Sequence, residues 1–452
     1  MDDRDSYSSG GVIISQAPMT VPARKGSSCS GCDELSDPGN SIQTGSSWVE
    51  NMSPDQHLPT FIVKKCLGMG TEVREHTSRL QDLCSTASDP CASSIRQHLL
   101  SESSLAEEAE RGFRNGYLPE LVEDCCGGTY FMKDVVGETL AVFKPADEEP
   151  YAPENPKGYV GGAMYGTSPM KEGVEVGLAA ERECAAYLLD HLHRARVPET
   201  SMLRIRHPSR PDLKFGSLQK FVRNECSSED MGPSKFTLSD VHSIAILDVR
   251  LCNSDRHPGN ILVTRGFDGG FELVPIDHGY VLPKWRYLHE LDFCWVYWPQ
   301  AKQPFTEAEL MYIDSLDAED DASFIRHALS LAEDCLRSLR IGTLLLKLGA
   351  KAGLTLHDIG KMMIRAHPDE RSRLEVEVWK AEEAALKEVR RFPAHLMKVI
   401  AANGTKDDGR AALEAAFGRH LERNLNVAIQ DVQESKNPPR ADLSDALESL
   451  EL

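Results

Sequence analysis

In residues 251–263, Leu-Cys-Asn-Ser-Asp-Arg-His-Pro-Gly-Asn-Ile-Leu-Val, Asp255 stands five positions before Asn260 and the segment runs straight into an apolar strand. A second apolar run then ends in Pro275-Ile276-Asp277-His278-Gly279. An aspartate in a loop, an amide shortly after it and a second aspartate at a strand end are the groups that hold magnesium and orient a hydroxyl beside a nucleoside triphosphate. A chain carrying this order has to bring both segments to one cleft, opposite an element that grips phosphates. Phosphotransfer is the chemistry that such a cleft serves.

Composition limits the rest. The chain has 452 residues and is 41% hydrophobic, enough for at least one large core. With 50 Lys and Arg against 70 Asp and Glu the net charge is −20, which disfavours DNA or RNA as a ligand, since polyanions are held by counterion-releasing basic surfaces. The chain begins Met-Asp-Asp-Arg-Asp, with no apolar leader, and has no apolar stretch of the roughly 18–20 residues that span a bilayer. We expect an intracellular protein, cytoplasmic or nuclear, either soluble or peripheral on membranes. Twelve scattered cysteines fit reduced thiols better than a disulfide framework, and the single CxxC, Cys29 to Cys32, lacks a second pair at zinc spacing.

Residues 1–105 are rich in Ser, Asp, Gly and Pro, with one short apolar run at Phe61-Ile62-Val63, and read as a disordered arm. A helix is expected over Ala106–Leu121, then a hairpin of Gly127–Met132 and Leu140–Lys144 around the turn Asp134–Gly137. A glycine- and proline-rich loop of about 30 residues follows, long enough to be functional or mobile. The helical spacing of Ala180, Cys184, Tyr187, Leu188 and Leu192 predicts a helix over Leu178–Arg194, ended by Val197-Pro198. Strand-like pieces come next at Met202–Ile205 and Ser217–Val222. Ser239 and Asp240 are candidate caps for a helix that runs to Leu251 and into the Asp255 loop. Asn260–Thr264 and Phe271–Ile276 make a second hairpin, and the pattern is helical from Pro304 to about Val432, before a loose tail over 433–452. The sum is a two-lobed α+β arrangement: 106–222 small and strand-rich, 223–432 larger and mostly helical.

Each demand of phosphotransfer has a candidate. Asp255 can accept the proton of an attacking hydroxyl, while Asn260 and Asp277 offer the hard oxygen ligands that magnesium prefers. Lys144 ends a strand and can place its ammonium on phosphates; Glu183, on the following helix, can pair with it. Gly127 and Gly128 would let backbone amides approach phosphate oxygens. Alone, each has a plainer explanation: a strand-end lysine that snorkels, a glycine pair in a turn, a glutamate on a solvated helix face, an aspartate capping a turn. Three apt sites in the right order and spacing point jointly to function.

The runs Ala141-Val142-Phe143-Lys144-Pro145-Ala146-Asp147-Glu148-Glu149-Pro150, Asn155-Pro156-Lys157-Gly158, Arg182-Glu183-Cys184-Ala185-Ala186-Tyr187, Gly216-Ser217-Leu218-Gln219-Lys220-Phe221-Val222, Asn253-Ser254-Asp255-Arg256-His257 and Pro275-Ile276-Asp277-His278-Gly279-Tyr280 resemble the phosphatidylinositol 4-kinase gamma family of plants and algae. The likeness holds in order from about Tyr117 to Met363. It implies a two-lobed kinase-like fold with ATP and magnesium as cofactors. Cys125 to Phe131 would be the glycine-rich loop, putting Cys126, Gly127, Gly128, Thr129 and Tyr130 on the nucleotide. Lys144 would hold its phosphates, and Gln219, Lys220, Phe221 and Val222 would form the hinge that meets adenine. Leu251 to Asn260 would be the catalytic loop, with Asp255 as base, His257 beside it and Asn260 on the metal; Asp277 would be the second metal ligand.

The implied acceptor is phosphatidylinositol in a membrane, giving phosphatidylinositol 4-phosphate. A Ser/Thr protein kinase acting on protein substrates is the alternative, and a pseudokinase scaffold the third reading. Two further features have double readings. The aromatic run Phe293–Trp298 is either core or a segment that dips into a headgroup layer, with core favoured. Arg204, Arg206, His207, Arg210 and Lys214 form a basic island suited to an inositol phosphate or an acidic bilayer, or simply a solvated loop.

Overall fold

Period-two alternation builds the smaller lobe. In the computed structural model, which describes residues 104–206, 213–267, 269–390 and 406–436, the chain opens with helix α1 (Ser104–Arg114) and strands β1 (Glu120–Leu121), β2 (Tyr130–Lys133) and β3 (Thr139–Pro145). Helix α2 (Ala179–Leu189) and strands β4 (Thr200–Arg206) and β5 (Leu213–Lys220) follow, and the five strands form one antiparallel sheet in the order β1-β2-β3-β5-β4. Along β3, Ala141 and Phe143 are buried in a core with Met132, Leu203, Ile205 and Leu218, while Val142 and Lys144 take the opposite face.

Helix α1 closes the back of that core with Leu105, Ala106 and Ala109. It approaches β2 through Gly112, where a Cβ would stand 2.0 Å from the Lys133 carbonyl oxygen. Both bounds of the first helix are corrected here. It begins at Ser104, two residues before the expected Ala106, and stops at Arg114, because Gly116 takes a left-handed φ of 91° and Pro119 cannot donate to a continuing helix. Glu120 and Leu121 instead pair with Phe131 and Tyr130. The hairpin turn forms as expected, with Asp134 accepting from the Val136 and Glu138 amides and Gly137 at φ 87°.

The long loop after β3 is folded against the body. The Asn155 side chain donates to the carbonyls of Cys126, Glu148 and Glu149 and accepts from the Lys157 and Tyr159 amides. Glu149, buried, accepts from Gly177 at 2.6 Å and from Ala180 at 3.1 Å, so the loop's far end and the first turn of α2 are fastened to one carboxylate. Helix α2 itself stops at Leu189, five residues before the expected Arg194, where Asp190 accepts from the Ala195 and Val197 amides.

The larger lobe contains a three-stranded sheet of β6 (Cys226–Ser227), β7 (Ile261–Arg265) and β8 (Phe271–Pro275). Helix α3 (Leu238–Leu251) precedes β7; α4 (Glu307–Ser315), α5 (Ala318–Ala328), α6 (Glu333–Lys351), α7 (Leu356–Met363), α8 (Arg373–Arg390) and α9 (Lys406–Lys436) come after β8. The cap of α3 is Thr237, which accepts from the Asp240 amide, and not Ser239 or Asp240; Asp240 pairs with Arg196 instead. Nearly every residue of α3 is buried, and α6 packs so closely on it that a Cβ on Gly342 would lie 2.3 Å from the Val249 carbonyl oxygen. Helix α9 continues to Lys436, into the predicted tail; the rest of that tail, most of the predicted arm and Cys29 to Cys32 lie outside the described residues. Phe293, Trp295 and Trp298 are core residues, whereas Tyr297 is exposed. Among the described residues no helix is long and apolar enough to cross a membrane, and the described cysteines are free thiols.

One buried carboxylate ties this lobe together. Asp248, fully buried near the end of α3, accepts from Arg256 Nε at 3.0 Å, Asn253 Nδ2 at 2.8 Å and Trp295 Nε1 at 2.9 Å. Removing it strands the buried Arg256 guanidinium, so Asp248→Ala should lose about 3–5 kcal/mol of unfolding free energy in urea titration. A loss below about 1 kcal/mol would show that the pair is dispensable. Glu149 gives a pH signature. Burial outweighs the amide hydrogen bonds and Arg182 and pushes its carboxyl from 4.5 up to about 7. The folded chain therefore holds a proton that the unfolded chain releases near pH 4.5, and this contribution to stability is full below that pH and lost as pH rises through about 7. Melting curves of Glu149→Gln should show a flatter fall in melting temperature over that interval than the wild type; parallel curves would contradict the assignment.

Candidate active site

The two lobes line an open cleft. One wall is the segment Cys125–Thr129 with Val142 and Lys144 of β3; a second is Gln219–Val222 at the end of β5; the floor includes Leu262 of β7 with Ile276, Asp277, Gly279 and Tyr280 beyond β8. Val142, Leu262 and Ile276 supply apolar surface from both lobes. Lys220 and Phe221 donate their amides to the carbonyls of Glu199 and Leu140, whereas the Val222 amide makes no hydrogen bond within the described residues.

At the inner end, strand alternation turns Lys144 inward to meet a helix and the opposite lobe at once. Its ammonium lies 2.6 Å from Glu183 Oε1 on α2 and 3.2 Å from Asp277 Oδ1. Burial disfavours the Lys144 charge, but Asp277 and Glu183 outweigh it and hold its pKa above the usual lysine range. Glu183 is buried, not solvated; burial opposes its charge, yet Lys144 and the His278 side chain keep it below the usual carboxylate range, and the His278 amide donates to its Oε2 at 3.0 Å. Burial lowers the pKa of the His278 ring against the pull of Glu183, and the residue after Asp277 is packed into the core. Asp277 has a left-handed φ of 55°, an uncommon conformation for a non-glycine residue.

The loop between α3 and β7 is shaped by reciprocal hydrogen bonds. Cys252 ends α3 at φ 48°, Asn253 accepts from the Asp255 amide, and the Ser254 hydroxyl donates to the Tyr280 carbonyl. Arg256 points inward, donating to Asp248 and to the carbonyls of Asn260 and Ile276, which joins this loop to the segment carrying Asp277. Asn260 Nδ2 donates to the Asp255 carbonyl at 2.9 Å, which leaves its amide oxygen for another partner. The Asp255 carboxylate has no hydrogen bond within the described residues. Burial, then repulsion from Asp277, pushes it up to about 6 against the opposing charges of Lys171, His257 and Arg256.

Of the residues singled out from sequence, Cys126, Gly127, Gly128, Thr129, Lys144, Glu183, Gln219, Lys220, Phe221, Val222 and Asp277 line the cleft. Tyr130 does not: strand alternation buries its ring in the small-lobe core, where its hydroxyl donates to Glu148 at 2.7 Å. Gln219 Nε2 donates to Thr200, so its side chain serves the sheet. His257 caps the turn that delivers Asn260, accepting from the Gly259 amide. Gly128 is required for packing as well as for access, since a Cβ there would lie 2.2 Å from a Glu148 oxygen. Of the basic island, Lys214 is buried against Asp147 and Glu148 and Arg204 stacks over Phe215, while the Arg206 side chain, His207 and Arg210 lie outside the described residues. Burying Lys214 without those carboxylates would be costly, which explains its inward turn. Sequence reasoning missed Asp248, Glu149, Asn155 and Tyr280; only the conspicuous Asp-Glu-Glu-Pro and Asn-Pro-Lys-Gly runs hinted at two of them.

A family model described as phosphatidylinositol 3- and 4-kinase matches residues 126–359, which take in the cleft lining from Cys126 onward. The chain is similar to phosphatidylinositol 4-kinase gamma 4 of Oryza sativa subsp. japonica, at 45% identity over 287 residues covering 61% of this chain and 50% of that protein. Phosphatidylinositol 4-kinase gamma 4 and gamma 6 of Arabidopsis thaliana are each 41% identical, covering 62% and 64% of this chain and 52% and 49% of their own lengths. The chain thus spans about half the length of the curated relatives it matches. Because the matched stretch takes in more than half of the chain and contains Lys144, Glu183, Asp255, Asn260 and Asp277, the chain belongs to the phosphatidylinositol 3- and 4-kinase family.

Proposed function

We propose that the chain transfers the γ-phosphoryl group of ATP to the 4-hydroxyl of phosphatidylinositol. The observation that carries this reading is the meeting of Lys144, Glu183 and Asp277 at the inner end of a cleft that also has apolar walls. Adenine fits between Val142, Leu262 and Ile276, with the unengaged Val222 amide at its edge. The Cys125–Thr129 segment covers the phosphates, and Lys144, kept charged and aimed by Glu183, grips them. Asp255 is the base: its free, weakly basic carboxylate orients the acceptor hydroxyl and takes the proton as the new P–O bond forms and the bond to the leaving diphosphate breaks.

The donor set fits magnesium, since Asp277 keeps one carboxylate oxygen clear of Lys144 and Asn260 keeps its amide oxygen. Bound there, the ion would neutralise phosphate charge. Phosphatidylinositol as acceptor rests on the names of the relatives, and the same centre would serve a protein hydroxyl.

Labelled phosphate from ATP should appear in phosphatidylinositol vesicles and not in generic protein substrates; an inert lipid beside a labelled protein would make the chain a protein kinase. Asp255→Ala and Asp277→Asn should each lower turnover by about 100-fold or more, with circular dichroism unchanged, because both groups act locally. Full activity in either variant would remove that residue from the mechanism, and full output from both would favour a scaffold.

A further inference from the structure

The turn Met170–Val174 belongs to the long loop of the smaller lobe, yet it is fastened to the larger one. The Glu172 and Gly173 amides donate to the two oxygens of Glu290 at 2.9 and 3.1 Å, and the Lys284 amide donates to the Gly173 carbonyl at 2.8 Å. The Tyr280 hydroxyl donates to the Met170 sulfur at 3.4 Å. Gly173 permits the close approach: a Cβ there would lie 2.8 Å from Pro283 Cβ and 2.9 Å from Tyr287 Cβ. This docking sets the half-buried Lys171 beside the catalytic loop, where its ammonium donates to the Ser254 carbonyl at 2.8 Å, one residue before Asp255.

Within the described residues Lys171 has no carboxylate at ion-pairing distance, whereas Lys144 has two and Lys284 one. An ammonium beside the catalytic loop that meets no carboxylate at ion-pairing distance among the described residues is arranged for an anion that arrives from outside. Within the described residues only one of its three N–H donors is engaged. The contact with the Ser254 carbonyl sets the Lys171 charge one residue from the carboxylate assigned as base.

We propose that Lys171 is a catalytic residue whose ammonium contacts the terminal phosphoryl oxygens of the bound nucleotide and neutralises the charge that builds on them during transfer. This rests on the kinase reading above. The bond from the acceptor oxygen to phosphorus forms, the bond to the leaving diphosphate breaks, the hydroxyl proton goes to Asp255, and Lys171 stays an ammonium throughout. It complements Lys144, whose charge is shared with Glu183 and Asp277.

Calorimetric titration of magnesium-ATP and magnesium-ADP into the full chain tests the contact, because only ATP carries the terminal phosphoryl group. Lys171→Met, and Lys171→Gln as a second neutral variant, should weaken ATP about tenfold while leaving ADP unchanged, and lower kcat by about 10- to 100-fold. Lys171→Arg should restore most of both. Equal affinity for ATP in wild type and neutral variants overturns the assignment, and so does an equal loss for ATP and ADP, which would mark a merely structural loop residue. If the ATP-selective loss is seen but the wild type labels neither lipid nor protein, the Lys171 contact stands and the kinase reading fails.

Discussion

Everything at this site depends on a carboxylate that never reaches the cleft. Asp248 is buried at the end of helix α3 and accepts from Arg256, Asn253 and Trp295, so the last turn of one helix, both sides of the catalytic loop and the aromatic segment after it share a single anchor. Arg256 extends the anchor to the Asn260 and Ile276 carbonyls, which places Asp255, Asn260 and Asp277 relative to one another. A buried charge pair is stable only with its remaining donors and acceptors satisfied, and that demand makes the loop geometry specific.

The smaller lobe meets this frame through charge and through a staple. Lys144 reaches across to Glu183 and Asp277, so one ammonium reads the position of a strand, a helix and the opposite lobe together. The long loop adds a second connection. Asn155 and Glu149 hold its near and far ends to the smaller lobe, while Glu290 and Lys284 take its Glu172-Gly173 turn on the larger. Both lobes thereby hold the same segment.

Much of this was legible residue by residue. Leu140–Lys144 stood out as a strand ended by Lys144, the Asp134–Gly137 turn followed from its side-chain chemistry, and Asp255, Asn260 and Asp277 stood out by order and spacing. Boundaries were less legible: Gly116 and the Asp190 turn end helices whose apolar periodicity continues past them. Residues whose role is to support others escaped notice. Asp248 looks like any aspartate on a helix, and Tyr130 and Lys214 look accessible until alternation and nearby carboxylates turn them inward.

By itself the sequence determined the chemistry on offer: which side chains could grip phosphate, bind a metal or take a proton, and in what order along the chain. That follows because residue type, local spacing and strand or helix period are properties of short segments. Tertiary structure alone decided which of those groups converge, which are buried in the core, as the His278 ring is, and which cation stands beside the catalytic loop with no carboxylate in reach among the described residues, as Lys171 does. Such outcomes come from contacts between residues 83 to 133 positions apart, as between Lys171 and Ser254 or Lys144 and Asp277, where burial and the field of distant charges outweigh any local preference.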